Sequence, residues 1–204
     1  MSAKATVFVV DDDPAVRDSL TLLLEEEDYS VASFASAEAF LANCPTVRRS
    51  CAIVDIRMPG MDGMQMQAEL SKRGILLPVI FLTGHGDIPM SVRAVKAGAA
   101  DFLTKPVTAA ALLESVHAAL LESARLDSRA EASHTAAECV ATLTEREREV
   151  MALAVEGLHN KEIARHLGIS HRTVEIHKAR IMHKTGANTL LDLARIAEAS
   201  GFRR

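Results

Sequence analysis

Residues 1–121 alternate short apolar runs with segments of helical period. Val7–Val10, Ser30–Phe34, Ala52–Val54, Val79–Leu82 and Asp101–Leu103 read as strands. Between them, Asp13 can cap a helix with Pro14 at its first position, and Val16, Leu20, Leu23 and Leu24 then share one face. Ala37–Leu41, Met64–Leu70, Met90–Ala97 and Ala109–Leu121 supply four more helices. Five strand–helix repeats predict a parallel sheet covered on both faces. Right-handed crossovers favour a doubly wound, flavodoxin-like α/β domain of strand order 2-1-3-4-5, with its ligand site at the C-terminal strand ends.

The pattern changes at residue 122. Residues 122–142 hold six alanines, no Gly and no Pro, and lack a sustained apolar face, as expected of a solvated helix or a semi-rigid linker. From Leu143 the strand signal disappears and four helices are predicted. Thr144 and Glu147 form a capping box ahead of Val150, Met151, Leu153 and Ala154. Asn160 can cap Lys161–Leu167, Ser170 can cap a helix from His171 to about Thr185, and Thr189 precedes Leu190–Ala199. The expected organisation is therefore an α/β domain over 1–121, a helical linker over 122–142 and an all-α domain over 143–204.

Composition narrows the function classes. Hydrophobic residues make up 49% and charged residues 25%, as in soluble globular proteins. No apolar run approaches the ~18–20 residues of a membrane span, and the N-terminus carries no signal-peptide pattern. Cys44, Cys51 and Cys139 are odd in number and lack metal-ligand spacing, which argues against a disulfide framework and for the cytoplasm. With aromatics at 3% and no Trp, stacking on single strands or sugars is not expected. The net charge of −4 hides an asymmetry: residues 1–132 carry 12 Lys and Arg against 18 Asp and Glu, residues 133–204 carry 11 against 9. An acidic front joined to a locally basic back suggests two domains with different partners.

The chemistry of the front lies at strand ends. Asp11, Asp12 and Asp13 follow the first strand, Asp55 ends the third, Thr83 ends the fourth and Lys105 follows the fifth. Strands 1 and 3 are neighbours at the switch point, so their carboxylates converge. Clustered carboxylates repel unless a cation neutralises them, and an oxygen-only site suits Mg²⁺, with Mn²⁺ as an alternative. Such an ion can bridge a phosphoryl group whose other oxygens meet Lys105 and Thr83, while a carboxylate attacks phosphorus.

The stretches VFVVDDDPAVR, VDIRMPGMDG, LTGHGD and AGAADFLTKP resemble the receiver domain of two-component response regulators. That resemblance makes Asp55 the phosphoacceptor. It makes Asp12, Asp55 and the Arg57 backbone carbonyl the metal ligands, Asp11 a helper through water, and Lys105 the phosphoryl partner. Thr83 and Phe102 fall on the family's switch positions, the Lys105–Pro106 bond is expected to be cis, and Asp13 is expected to be a cap. FVVDDDPAV also fits the first motif of haloacid-dehalogenase-type phosphatases, with Asp11 as nucleophile and Asp13 as acid. Against that stand the missing later acidic motif, the absence of an inserted cap domain, and Asp55 within DIRMPG.

In the back half, two short helices flank Gly168-Ile169 with the length and turn of a helix-turn-helix. With Val174 toward the core, Ile181 and Thr185 share its face. Arg172, Ile176, Ala179 and His183 then point away, with Thr173, Glu175 and Arg180 alongside. Arg can read guanine and an apolar group a thymine methyl, whereas Lys161, Lys178 and Lys184 suit phosphates. LTERE, NKEIA, LGIS and RTVEIH closely resemble the LuxR-type helix-turn-helix of NarL/FixJ regulators. With MPGMDG and TGHGDIPM they point to the FixJ-like branch. The resemblance implies a transcription regulator rather than an enzyme. A sensor histidine kinase would be its phosphodonor, with promoter duplex DNA and RNA polymerase as partners and a homodimer as its phosphorylated form.

Overall fold

The computed structural model describes residues 4–43, 47–84 and 98–202. The apolar runs of the front half form β1 (Thr6–Val10), β2 (Ser30–Phe34), β3 (Ser50–Asp55), β4 (Val79–Thr83) and β5 (Asp101–Thr104). All pair in parallel, in the order β2-β1-β3-β4-β5. The helices around this sheet are α1 (Pro14–Glu26), α2 (Ala37–Asn43), α3 (Gly63–Lys72) and the part of α4 (Ala109–Ala141) up to Asp127.

Side chains alternate across the pleat, so each strand feeds two cores. Phe8, Val10, Ala52, Val54 and Phe81 pack with Phe40 and Leu41 of α2 and with Met66 and Leu70 of α3. Val7, Val9, Ile53, Ile80 and Leu82 pack with Leu20 and Leu24 of α1 and with Leu112 and Val116 of α4. The register places Val10 beside Val54, Asp55 beside Leu82 and Thr83 beside Thr104. Asp11, Asp55, Thr83 and Lys105 therefore meet at one end of the sheet.

The back half forms α5 (Glu145–Val155), α6 (Asn160–Leu167), α7 (His171–Thr185) and α8 (Leu190–Ala199). They close on one core that includes Val150, Met151, Ile163, Val174, Ile181 and Leu193. The chain divides into two units, Met1–Asp127 and Ser128–Arg204.

Two helix bounds differ from those read in the sequence. The helix read as Ala109–Leu121 continues to Ala141, through the segment without Gly or Pro. Ser123 and Asp127 of this continuation accept hydrogen bonds from the Ser50 and Arg49 N–H groups at 3.0 and 2.9 Å. Asn160 is not a cap but the first helical residue: His159 holds the extended cap conformation, and its N–H donates to Glu162 at 2.7 Å. The helix expected over Met90–Ala97 lies outside the described residues, as does the end of TGHGDIPM. Among the described residues no helix is long and apolar enough to cross a membrane.

Candidate functional site: an acidic strand-end pocket and a basic helix face

Asp11 is buried, at 2% exposure, and so needs a partner. Lys105 supplies it: its Nζ lies 2.6 Å from Asp11 Oδ2 and 3.3 Å from Asp55 Oδ2. The same Asp11 takes the Asp13 N–H on Oδ1 at 2.9 Å, while Arg17 Nη1 donates to its backbone carbonyl at 2.8 Å. Burial pushes the Asp55 carboxyl above its ordinary value; the Lys105 charge opposes this and the Asp11 charge adds to it. For Lys105, burial favours the neutral amine, but hydrogen bonds and charge from Asp11, then Asp55, outweigh it and raise the pKa. The site thus holds a charged ammonium against two carboxylates, one of them half-buried.

Asp11, Asp12 and Asp55 each offer an oxygen within 4.8 Å of the others. This all-oxygen donor set at one point fits a hard divalent ion such as Mg²⁺. Arg57 stands two residues past Asp55, and its N–H reaches Asp55 Oδ1 at 3.4 Å. Thr83 is fully buried at the end of β4. Its carbonyl accepts from Lys105 N–H at 2.7 Å, ahead of a cis Lys105–Pro106 bond. Phe102, on β5, packs at the edge of the core shared with α2 and α3. Asp13 is spent on α1, taking the Ala15 N–H at 2.9 Å, and the phosphatase reading needs it as an acid.

Sequence reasoning missed the brace of the loop after Asp55. Glu38 of α2 accepts the Met61 N–H at 2.8 Å. Gly60 has φ +77°, and a Cβ there would sit 2.6 Å from Glu38 Oε1. An acidic residue at the start of a helix gives no hint of a partner 23 positions away.

In the second unit, Val174, Ile181 and Thr185 of α7 are buried, while Arg172, Ile176, Ala179, Arg180 and His183 are exposed. Lys161 of α6 is exposed as well, and Thr173 is half-buried. Lys178 donates to Asn160 Oδ1 at 3.0 Å, and Arg172 Nη1 to Glu175 Oε2 at 3.2 Å. Lys184, read as a phosphate contact, has partners within its own domain. Its Nζ donates to the buried Glu147 carboxylate at 2.7 Å and to the Thr142 carbonyl at 3.1 Å. The 3.6-residue period places Lys184 on α7, but the pairing with Glu147 depends on how α5 packs, which no local pattern encodes.

The chain belongs to the two-component response regulators: the response regulator receiver domain matches residues 7–117 and the luxR family of bacterial regulatory proteins matches residues 141–197. Its two parts are thus a receiver and a LuxR-type DNA-binding domain, the make-up of a transcriptional regulator. Within that class it is 44% identical to the transcriptional regulatory protein FixJ of Azorhizobium caulinodans, over 98% of this chain and 95% of that one. The solved structure of the response regulator StyR is 41% identical, with a TM-score of 0.81 over 96% of this chain and 99% of that one. Full-length FixJ from B. japonicum is 38% identical, with a TM-score of 0.59 over the whole of both chains.

Proposed function

We propose that phosphorylation of Asp55 by a sensor histidine kinase controls homodimerisation and sequence-specific DNA binding by this chain, and so transcription. The observation that carries the reading is the Lys105 ammonium held between Asp11 and Asp55 at 2.6 and 3.3 Å. A cation held there already stands where the negative charge of an incoming phosphoryl group would arrive.

In this reading an Asp55 oxygen attacks the phosphorus of a phosphohistidine, the phosphorus–nitrogen bond breaks, and the imidazole leaves. Lys105 exchanges carboxylate for phosphoryl oxygens, and the Thr83 hydroxyl donates to another. Mg²⁺, or Mn²⁺ in its place, held by Asp12, Asp55 and the Arg57 carbonyl with Asp11 behind, would neutralise charge on the transferred group. Phe102 then follows the displacement of Thr83. On the DNA side, Arg172, Thr173, Glu175, Ile176 and Ala179 meet base edges, while Lys161, Lys178 and Arg180 meet phosphates.

Intact-mass measurement after acetyl phosphate and Mg²⁺ tests the phosphoryl step. Wild type should gain one phosphoryl group and Asp55→Asn none. Equal Mg²⁺-dependent labelling of both proteins contradicts the assignment, and labelling lost only in Asp11→Asn favours a phosphatase-like nucleophile.

A further inference from the structure

A carboxylate near the start of a helix that enters a major groove is electrostatically misplaced, because it approaches rows of phosphates. Glu175 is such a carboxylate, in the second turn of α7. Its own helix compensates it only in part. Oε2 accepts from Arg172 Nη1 at 3.2 Å, and Oε1 lies 3.6 Å from His171 Nδ1. Among the described residues Oε1 therefore has the His171 ring nitrogen nearby but no hydrogen bond within 3.5 Å. The Glu175 side chain is 41% exposed and that of Arg172 81% exposed, and they adjoin the exposed Ile176, whose relative exposure is 42%.

The two side chains together present an acceptor beside a fork of donors. A C·G pair presents the complement in the major groove: the cytosine N4 amino group as donor, then guanine O6 and N7 as acceptors. No other base pair offers that array in that order.

Resting on the DNA-binding reading above, we infer that Glu175 and Arg172 act as one unit that selects a C·G pair. Glu175 Oε1 accepts from cytosine N4 while the Arg172 guanidinium donates to the paired guanine. Glu175 is thus a specificity-determining residue that trades general affinity for discrimination. A thymine or guanine in place of the cytosine sets O4 or O6 against the carboxylate and is rejected, and an adenine there brings a thymine that lacks the guanine acceptors Arg172 reads.

The test is selection from a random duplex library by the full-length protein, with and without beryllofluoride, followed by binding measurements on single-position variants of the winning sequence. Wild type should fix one C·G pair in each half-site. Glu175→Ala should lose discrimination there by about tenfold or more and bind random duplex more tightly, because a negative charge has left the interface. Arg172→Ala should lose discrimination at the same pair, and the double variant should add little to it. Both side chains are surface-exposed, so circular dichroism should show all three variants folded. The inference is overturned if wild type and Glu175→Ala select the same sequence with the same discrimination, or if the two single variants act on different base pairs. A wild-type protein that enriches no sequence in either condition instead overturns the DNA-binding reading, and this inference with it.

Discussion

Glu147 shows how much one buried carboxylate can do. It is 2% exposed, caps α5 through the Thr144 N–H and accepts from Lys184. The Lys184 hydrogen bond, then that of Thr144, pulls its pKa from the ordinary 4.5 to about 2 against the cost of burial. A depressed folded-state pKa stabilises fully above the ordinary value, and that stability is lost as pH falls from about 4.5 to about 2. Acid titration of unfolding should show this loss in wild type and a flatter profile in Glu147→Gln. Lys184→Met, which strands the carboxylate, should cost about 2–3 kcal/mol in urea unfolding. An unchanged midpoint would show that the pair contributes nothing. At the receiver site, Gly60→Ala combines φ +77° with a Cβ 2.6 Å from Glu38 Oε1. It should cost about 1–2 kcal/mol and slow Mg²⁺-dependent phosphorylation, because the loop carrying Arg57 is displaced. Thermal melting and intact-mass time courses read the two effects separately.

At the scale of elements, β3 is fixed at both ends by side chains from elsewhere. Asp55 at its C-terminal end meets Lys105, and the Ser50 N–H at its start donates to Ser123 Oγ of α4 at 3.0 Å. Ser123→Ala leaves that buried N–H without its acceptor, at a cost of about 1–3 kcal/mol. Hydrogen exchange should quicken selectively at the Ser50 amide, and uniform protection across β3 would show that the bond does not matter. The strands were legible because apolar runs end in chemistry-bearing residues, Val7–Val10 before Asp11 and Val79–Leu82 before Thr83; their order followed from right-handed crossovers between five strand–helix repeats. The buried and exposed faces of α7 followed from setting Val174 inward. What local pattern could not reach was long-range pairing. Ser123 and Asp127 look like solvated polar positions until β3 is seen against them. Lys184 looks like any surface cation until α5 brings Glu147 to it. Asn160 is a good cap by chemistry, and only the Glu162 bond to His159 N–H moves the helix start.

For the whole molecule, the central claim is that charge placed at Asp55 decides whether the basic helices find DNA as a pair. Two half-sites about 34 Å apart need two readers held in fixed relation. Leu190 and Leu191 of α8, 43% and 62% exposed, offer too little apolar area for a tight dimer alone. A shift of a few kcal/mol on phosphorylation is enough to exchange monomer for dimer. Binding should also fall steeply with salt, since phosphate contacts release counterions; a flat salt response would leave the basic residues of α6 and α7 without that role. Sedimentation velocity of the full chain with a selected duplex, with and without beryllofluoride and Mg²⁺, tests the claim most directly. Wild type should pass from a monomer with weak duplex binding to a dimer on the duplex, and Asp55→Asn should remain in the first state under both conditions. An unchanged oligomeric state and duplex affinity in wild type, or the same response in Asp55→Asn, would contradict it.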